Sequence, residues 1–354
     1  MLEEQPDFLS LVGTETADRA FLGAWASRRV PHAWLIAGPK GTGKACFAAK
    51  VACFVLAQAG VSQNALFDAP PAVLDIAPDH PVLRRVLARS HADFRILRRG
   101  WSDEGKRKSE ISVEEVREIG AFLSMTPAEG GWRVVIVDSA DEMNRNSANA
   151  LLKILEEPPD NSLLLIVSHN PGKLLPTIRS RCRMLNFHPL SDEDVETVLQ
   201  RKIADMASDE KMLLLEMSEG SIGRALALHE QGGLSSYREM MKLLDSLPRL
   251  DIPALHLFAE MAGKNEATFR STADLFSWRL GKAATDYVRY RSSADASPEC
   301  ADPFTRLVEM TGLDRWIELW DKASRSFTRT EAVALDRKQV IINAFVALEQ
   351  VCRA

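Results

Sequence analysis

Gly38-Pro39-Lys40-Gly41-Thr42-Gly43-Lys44-Ala45 follows the apolar run Ala33-Trp34-Leu35-Ile36-Ala37 and leads into Lys44 to Gln58, a stretch that reads as an apolar helix. It matches G-x-x-x-x-G-K, placed between a strand and a helix as that motif requires. Glycines there let backbone N–H groups turn inward around a phosphate. The helix N-terminus adds partial positive charge, and the lysine reaches the outer phosphates. A Gly-rich turn with no ligand is the bland alternative, and the strand before and helix after disfavour it. The last motif position, which elsewhere supplies a hydroxyl to Mg²⁺, is Ala45, and a methyl group cannot ligate a metal. Gly38, Gly41, Thr42, Gly43 and Lys44 are therefore the candidate nucleotide-binding residues of a degenerate cradle.

Working outward, Val134-Val135-Ile136-Val137 is a fully buried type of strand ending in Asp138, the position from which a carboxylate can hold Mg²⁺ through water. Asp138 joins the candidate nucleotide-binding set. The next residue, Ser139, stands where hydrolysing P-loop proteins place an acid that polarises water. A serine hydroxyl is too weak a base near neutral pH to replace it. Ala45 and Ser139 thus remove two independent requirements of hydrolysis.

Other segments complete an α/β pattern. Ser112 with Glu115 resembles a capping box and starts a helix to about Ser124. Asn146 to Glu156 reads as a helix stopped by Pro158 and Pro159, and Leu163 to Val167 as another buried strand. After Pro189 the strands cease, Ser191 and Asp194 cap a helix, and the remainder is helical. The expected fold is a P-loop domain with a parallel sheet and flanking helices over 1–188, a small helical lid over 189–234, and an all-α domain over 235–354. Gly232, Gly233, Ser235 and Ser236 loosen the second boundary.

Bulk properties fit this plan. With 354 residues and 46% hydrophobic content the chain can bury more than one core. No apolar run of about 18 residues suggests a membrane span, and the acidic start is unlike a signal peptide, so the expected compartment is the cytoplasm. Five scattered cysteines without a C-x-x-C pair suggest free thiols. Cys46, Cys53, His80 and His91 offer a Cys₂His₂ alternative, but core thiols are the expectation and no zinc is expected. The net charge of −5 hides nine Lys/Arg against three acids between Arg84 and Lys108. With the Pro-rich stretch Ala69 to Pro81 before it, this region reads as a solvated loop or insertion. Contact with DNA phosphates or an acidic surface is the alternative.

Three arginines, Arg179, Arg181 and Arg183, crowd the segment after the strand Leu163 to Val167. Surface ion pairing is the ordinary reading of such a cluster. The order of P-loop, Val134–Asp138 and Ser180-Arg181-Cys182 nevertheless resembles the AAA+ clamp-loader family. Asp138-x-x-Asp141, Asn149-Ala150-Leu151-Leu152-Lys153, Leu155-Glu156-Glu157-Pro158-Pro159 and Ser168-His169-Asn170-Pro171 tighten the resemblance, which covers residues 30–190 in detail.

The resemblance implies a subunit of the bacterial DNA polymerase III clamp loader that has lost hydrolysis, with ATP or ADP held unhydrolysed. Its implied partners are the other subunits of a hetero-pentamer, the sliding clamp and primed DNA, with no membrane. It makes Arg181 a finger supplied in trans to a neighbour's ATP site. Many relatives carry a four-cysteine zinc module, which this chain lacks, since no cysteine lies between Phe54 and Arg181. Gly220-Ser221-Ile222-Gly223-Arg224-Ala225-Leu226 is similar to the sensor 2 segment, with the family arginine nearer Gly223 than Arg224. A hydrolysing gamma/tau-type ATPase is the alternative, opposed by Ala45 and Ser139. A small-molecule phosphotransferase would need an acceptor-activating base that the sequence does not offer.

Overall fold

The computed structural model describes residues 11–58, 71–101, 108, 110–203, 206–292, 303–333 and 336–353. The chain divides into two compact units, one of Met1–Asp205 with Glu219–Gly223, the other of Met206–Ser218 with Arg224–Ala354.

The first unit is built on five strands: β1 (Ala33–Ala37), β2 (Phe94–Leu97), β3 (Arg133–Val137), β4 (Ser162–Ser168) and β5 (Arg183–Asn186). They form one parallel sheet in the order β2-β3-β4-β1-β5. Its helices are α1 (Glu15–Ala26), α2 (Lys44–Ala57), α3 (Pro81–Leu87), α4 (Val113–Leu123), α5 (Arg145–Glu156), α6 (Pro176–Arg179) and α7 (Asp192–Lys202). Alternate side chains leave opposite faces of a strand, so each central strand feeds two cores. Trp34, Ile36, Val134, Ile136, Leu163 and Leu165 pack with α1 to α3. Leu35, Ala37, Val135, Val137, Leu164 and Ile166 pack with α4 and α5. Burial on both faces explains why β1, β3 and β4 read as unbroken apolar runs. The capping box of α4 is present, with Ser112 N–H donating to Glu115 Oε2 at 2.8 Å and Glu115 N–H to Ser112 Oγ at 3.4 Å. Ser191 caps α7 by accepting the Asp194 N–H.

The basic stretch departs from expectation, since where a loop or insertion was expected there is a helix, α3, and a sheet-edge strand, β2. Asp93 explains how it folds. Its carboxylate is 1% exposed and accepts the N–H groups of Ala128 at 2.8 Å and Glu129 at 3.0 Å, with Arg133 Nη2 at 3.4 Å. Arg133 also donates to the carbonyls of Phe122 and Thr126, at 2.7 and 2.5 Å, and lies over the Phe122 ring. Arg85 forms a bidentate pair with Glu129, Arg99 a pair with Glu142, and Lys108 a pair with Glu115. Much of the positive charge is therefore compensated by acids from later elements. Asp103, Glu104, Lys106 and Arg107 lie outside the described residues.

The second unit is helical: α8 (Ser208–Ser218), most of α9 (Ile222–Glu230), α10 (Gly233–Asp245), α11 (Ile252–Gly263), α12 (Glu266–Ser292), α13 (Pro303–Thr311), α14 (Leu313–Val333) and α15 (Arg337–Arg353). Its core holds Phe276, Trp278, Trp316 and Phe345, with Trp316 Nε1–H donating to the Leu280 carbonyl at 2.9 Å. Trp320 is 38% exposed and rests against Gly281 of α12. Among the described residues no helix is long and apolar enough to cross a membrane.

Candidate nucleotide cradle and arginine edge

In a parallel sheet the loops after the strands all gather at one end, and here that end collects the residues of the candidate site. The P-loop leaves β1, Asp138 and Ser139 leave β3, and His169 leaves β4. Gly38, Gly41 and Gly43 have φ of +150°, +79° and +84°, the kind of backbone that glycine allows and that an anion-binding loop uses to turn N–H groups inward. Thr42 Oγ1 donates to the Pro39 carbonyl at 2.9 Å, and Lys44 Nζ donates to the same oxygen. Lys44 is the first residue of α2 and only 2% exposed. Burial lowers its pKa from 10.5 to about 8, against the opposing pull of Asp141 and Asp138.

Opposite the lysine, Asp138 N–H donates to the Leu97 carbonyl at 2.8 Å, fixing the strand end. Ser139 occupies the left-handed region at φ 58°, unusual for a residue with a Cβ, and its hydroxyl lies 3.1 Å from His169 Nε2. Burial holds the His169 pKa below its ordinary value, and Lys44 adds to that effect, so the ring is neutral at pH 7. Asp141 Oδ1 accepts the Ser168 hydroxyl at 2.9 Å and the His169 N–H at 2.7 Å. Burial alone would raise the Asp141 pKa, but these donors hold it below the usual carboxylate range. The sequence places Asp141 and His169 only within the family resemblance; the pairing of β3 with β4 brings the His169 ring to Ser139 and the Asp141 carboxylate to Ser168 and the His169 N–H.

The donor set fits a phosphate, with a glycine-rich loop, Lys44 and a helix N-terminus. Asp138 offers a carboxylate towards a Mg²⁺, whereas Ala45 offers no hydroxyl to ligate one and Ser139 offers no carboxylate to polarise water.

Arg181 is at the other end of the sheet. Arg183 opens β5 opposite Trp34 of β1, and Arg181 precedes it, whereas the P-loop follows Ala37. At about 3.3 Å per residue, the four positions from Trp34 to Gly38 put roughly 13 Å of sheet between the two. Arg181 is exposed, donates from Nη1 to the Thr177 carbonyl at 3.0 Å, and pairs through Nη2 with Glu156 at 2.9 Å. The predicted residues thus fall into two groups, the cradle with Asp138 and, apart from it, Arg181.

A family model described as DNA polymerase III, delta subunit, matches residues 13–191, the span that carries the sheet, the cradle and Arg181. The chain belongs to the DNA polymerase III delta-subunit family. It is 33% identical over 224 residues to DNA polymerase III subunit delta′ of Pseudomonas aeruginosa, covering 63% of each chain. It is 38% identical over 125 residues to subunit delta′ of Escherichia coli, covering 35% of this chain and 37% of that one. Subunit tau of Escherichia coli is 29% identical over 271 residues, covering 73% of this chain and 38% of tau. The chain therefore spans less than two thirds of the length of these relatives. Among solved structures, a DNA polymerase III gamma subunit-related protein from Thermotoga maritima superposes with a TM-score of 0.43 at 15% identity, covering 94% of this chain and all of that one.

Among the described cysteines Cys53 and Cys352 are buried and Cys46 and Cys182 are half-buried, while Cys300 lies outside the described residues. Cys53 is buried beside the sheet, and burial pushes its thiol, like that of Cys182, up to about 12. His80 caps α3 through Nδ1, and His91 is buried near Glu129. Among the described residues no group of three or more His, Cys, Asp or Glu could hold a metal ion.

Proposed function

We propose that the chain is a non-hydrolysing subunit of a DNA polymerase III clamp loader, which holds the assembly's shape and lends Arg181 to a neighbour's ATP site. In that assembly it would work with other clamp-loader subunits to place a sliding clamp on primed DNA. The observation that carries this reading is the position of Arg181. It lies at the opposite end of the sheet from the chain's own cradle, so its guanidinium serves a phosphate held by another subunit. Arginine suits that task because its planar fork stays charged and can meet phosphate oxygens at two points. The cradle supports the same reading, since it retains phosphate-binding groups, for ATP or ADP held without turnover, while lacking a Mg²⁺ hydroxyl and a water-polarising acid. The division into a lid over 189–234 and a collar over 235–354 belongs to this proposal.

The test is a reconstituted complex carrying Arg181→Ala. Assembly should be intact while ATP hydrolysis by the neighbouring subunits falls by at least tenfold, as loss of a finger supplied in trans implies. An unchanged rate rules the finger out.

A hydrolysing subunit is the second reading. Lys44 and Asp138 favour it, and His169 beside Ser139 would have to replace the missing acid. The purified chain with Mg²⁺ and ATP separates the two, because turnover abolished by Lys44→Ala or His169→Ala would establish the second.

A further inference from the structure

Residues 219–223 fold with the sheet-containing unit, and they meet the P-loop mostly through backbone. Gly223 N–H donates to the Gly41 carbonyl at 3.0 Å, and Ser221 Oγ donates to the Lys40 carbonyl at 2.9 Å. Leu190 N–H donates to the Gly220 carbonyl at 2.9 Å and ties the segment to the chain after β5. The fit is tight. A Cβ on Gly41 would lie 2.2 Å from Ser221 Oγ, and one on Gly223 would lie 2.9 Å from Gly41 Cα. Neither glycine can gain a side chain without parting the two segments.

A ring of inward N–H groups makes a concavity suited to an anion. The same like-oriented dipoles repel one another when no anion is there, so such a loop needs other contacts to stay ordered. Here the Pro39 carbonyl takes Thr42 and Lys44 within the loop, while the Lys40 and Gly41 carbonyls take Ser221 and Gly223 from the adjoining segment. Three consecutive carbonyls are engaged by four donors, none of which requires a ligand.

We infer that Ser221 and Gly223 are positioning residues that hold the P-loop in its phosphate-shaped conformation without nucleotide. The order of the loop is thereby uncoupled from ligand. Ser221 supplies a hydroxyl, and Gly223 supplies the absence of a side chain that lets the backbones touch. This inference needs neither the finger role of Arg181 nor the lack of hydrolysis.

Limited trypsin digestion of the full chain, read by mass spectrometry at Lys40 and Lys44, tests it with and without ADP. Cleavage there requires the loop to open, so its rate follows the open population. The wild type should resist cutting at both lysines already without ADP, and ADP should add only the protection that binding itself gives. Ser221→Ala deletes one hydrogen bond of ordinary strength and should raise cleavage about fivefold. Gly223→Ala should raise it further, while Ser221→Thr, which keeps the hydroxyl, should restore the wild-type rate. Cutting elsewhere and the far-UV circular dichroism should not change for Ser221→Ala, so the effect is local even if Gly223→Ala folds poorly. Ready cutting of the wild type at Lys40 in the absence of ADP would overturn the inference. So would a Ser221→Ala protein as resistant as the wild type.

Discussion

Replacing Lys44 with methionine should stabilise the free protein at pH 7, although Lys44 is the central cation of the cradle. Its ammonium is 2% exposed, and burial brings its pKa from 10.5 down to about 8. Below pH 8 the lysine is protonated in both the folded and unfolded states, and the folded state carries the full cost of a desolvated cation. A fall of about 2.5 pH units corresponds to about 3 kcal/mol. Between pH 8 and about 10 the unfolded chain binds more protons than the folded one, so stability attributable to Lys44 rises with pH and the cost disappears. Methionine keeps a flexible apolar stem and removes the charge, at the loss of one hydrogen bond to Pro39 worth about 1 kcal/mol. Lys44→Met should therefore exceed the wild type by about 2 kcal/mol at pH 7, and the gain should fade towards pH 10. Urea unfolding followed by far-UV circular dichroism, in phosphate-free buffer at pH 7 and pH 9.5, measures the difference at each pH. A variant less stable than the wild type at pH 7, or a gain equal at both pH values, would refute the reasoning.

Asp93→Ala should cost about 3–5 kcal/mol, because it leaves Arg133 buried without its carboxylate and orphans the N–H groups of Ala128 and Glu129. Chemical denaturation would reveal it, and a loss under 1 kcal/mol would show that Asp93 does not organise the β2 edge. His91 is 1% exposed, and burial, reinforced by Arg85, holds its pKa below the ordinary value against the pull of Glu129 and Asp93. Its neutral form belongs to the folded state, so stability should fall as pH drops below about 6.5, and His91→Gln should flatten that part of the stability profile. Cys182, raised to about 12 by burial, should resist a thiol reagent at pH 8 in the native chain and react on denaturation.

The features legible in the sequence were those whose causes are local. Val134 to Val137 and Leu163 to Val167 are buried on both faces, so they appear as apolar runs without knowledge of any partner. The α4 capping box joins residues three apart and can be read directly. By contrast, α3 and β2 have seven and four residues and carry Arg84, Arg85 and Arg95, which look like loop composition. Their charges are answered from far along the chain, Arg85 by Glu129 and Arg95 by the Phe122 ring. β5 was equally hidden, since only one of its four residues is buried. In the cradle, the glycines, Lys44 and Asp138 announce themselves by motif, whereas the partners that brace them do not. Ser139 meets His169 across 30 positions, and Ser221 meets Lys40 across 181.

These distant contacts change what the missing catalytic side chains mean. A hydrolysing site needs groups left free to meet water and metal, yet here Ser139 is engaged with His169, and Asp141 is engaged with Ser168 and His169. The P-loop carbonyls are likewise satisfied by Thr42, Lys44, Ser221 and Gly223. Lys44 is the exception, because its desolvated charge is a cost that a bound phosphate would relieve. A desolvated Lys44 in an otherwise self-satisfied cradle therefore suits an anion held in place, which is what the proposed function asks of this site.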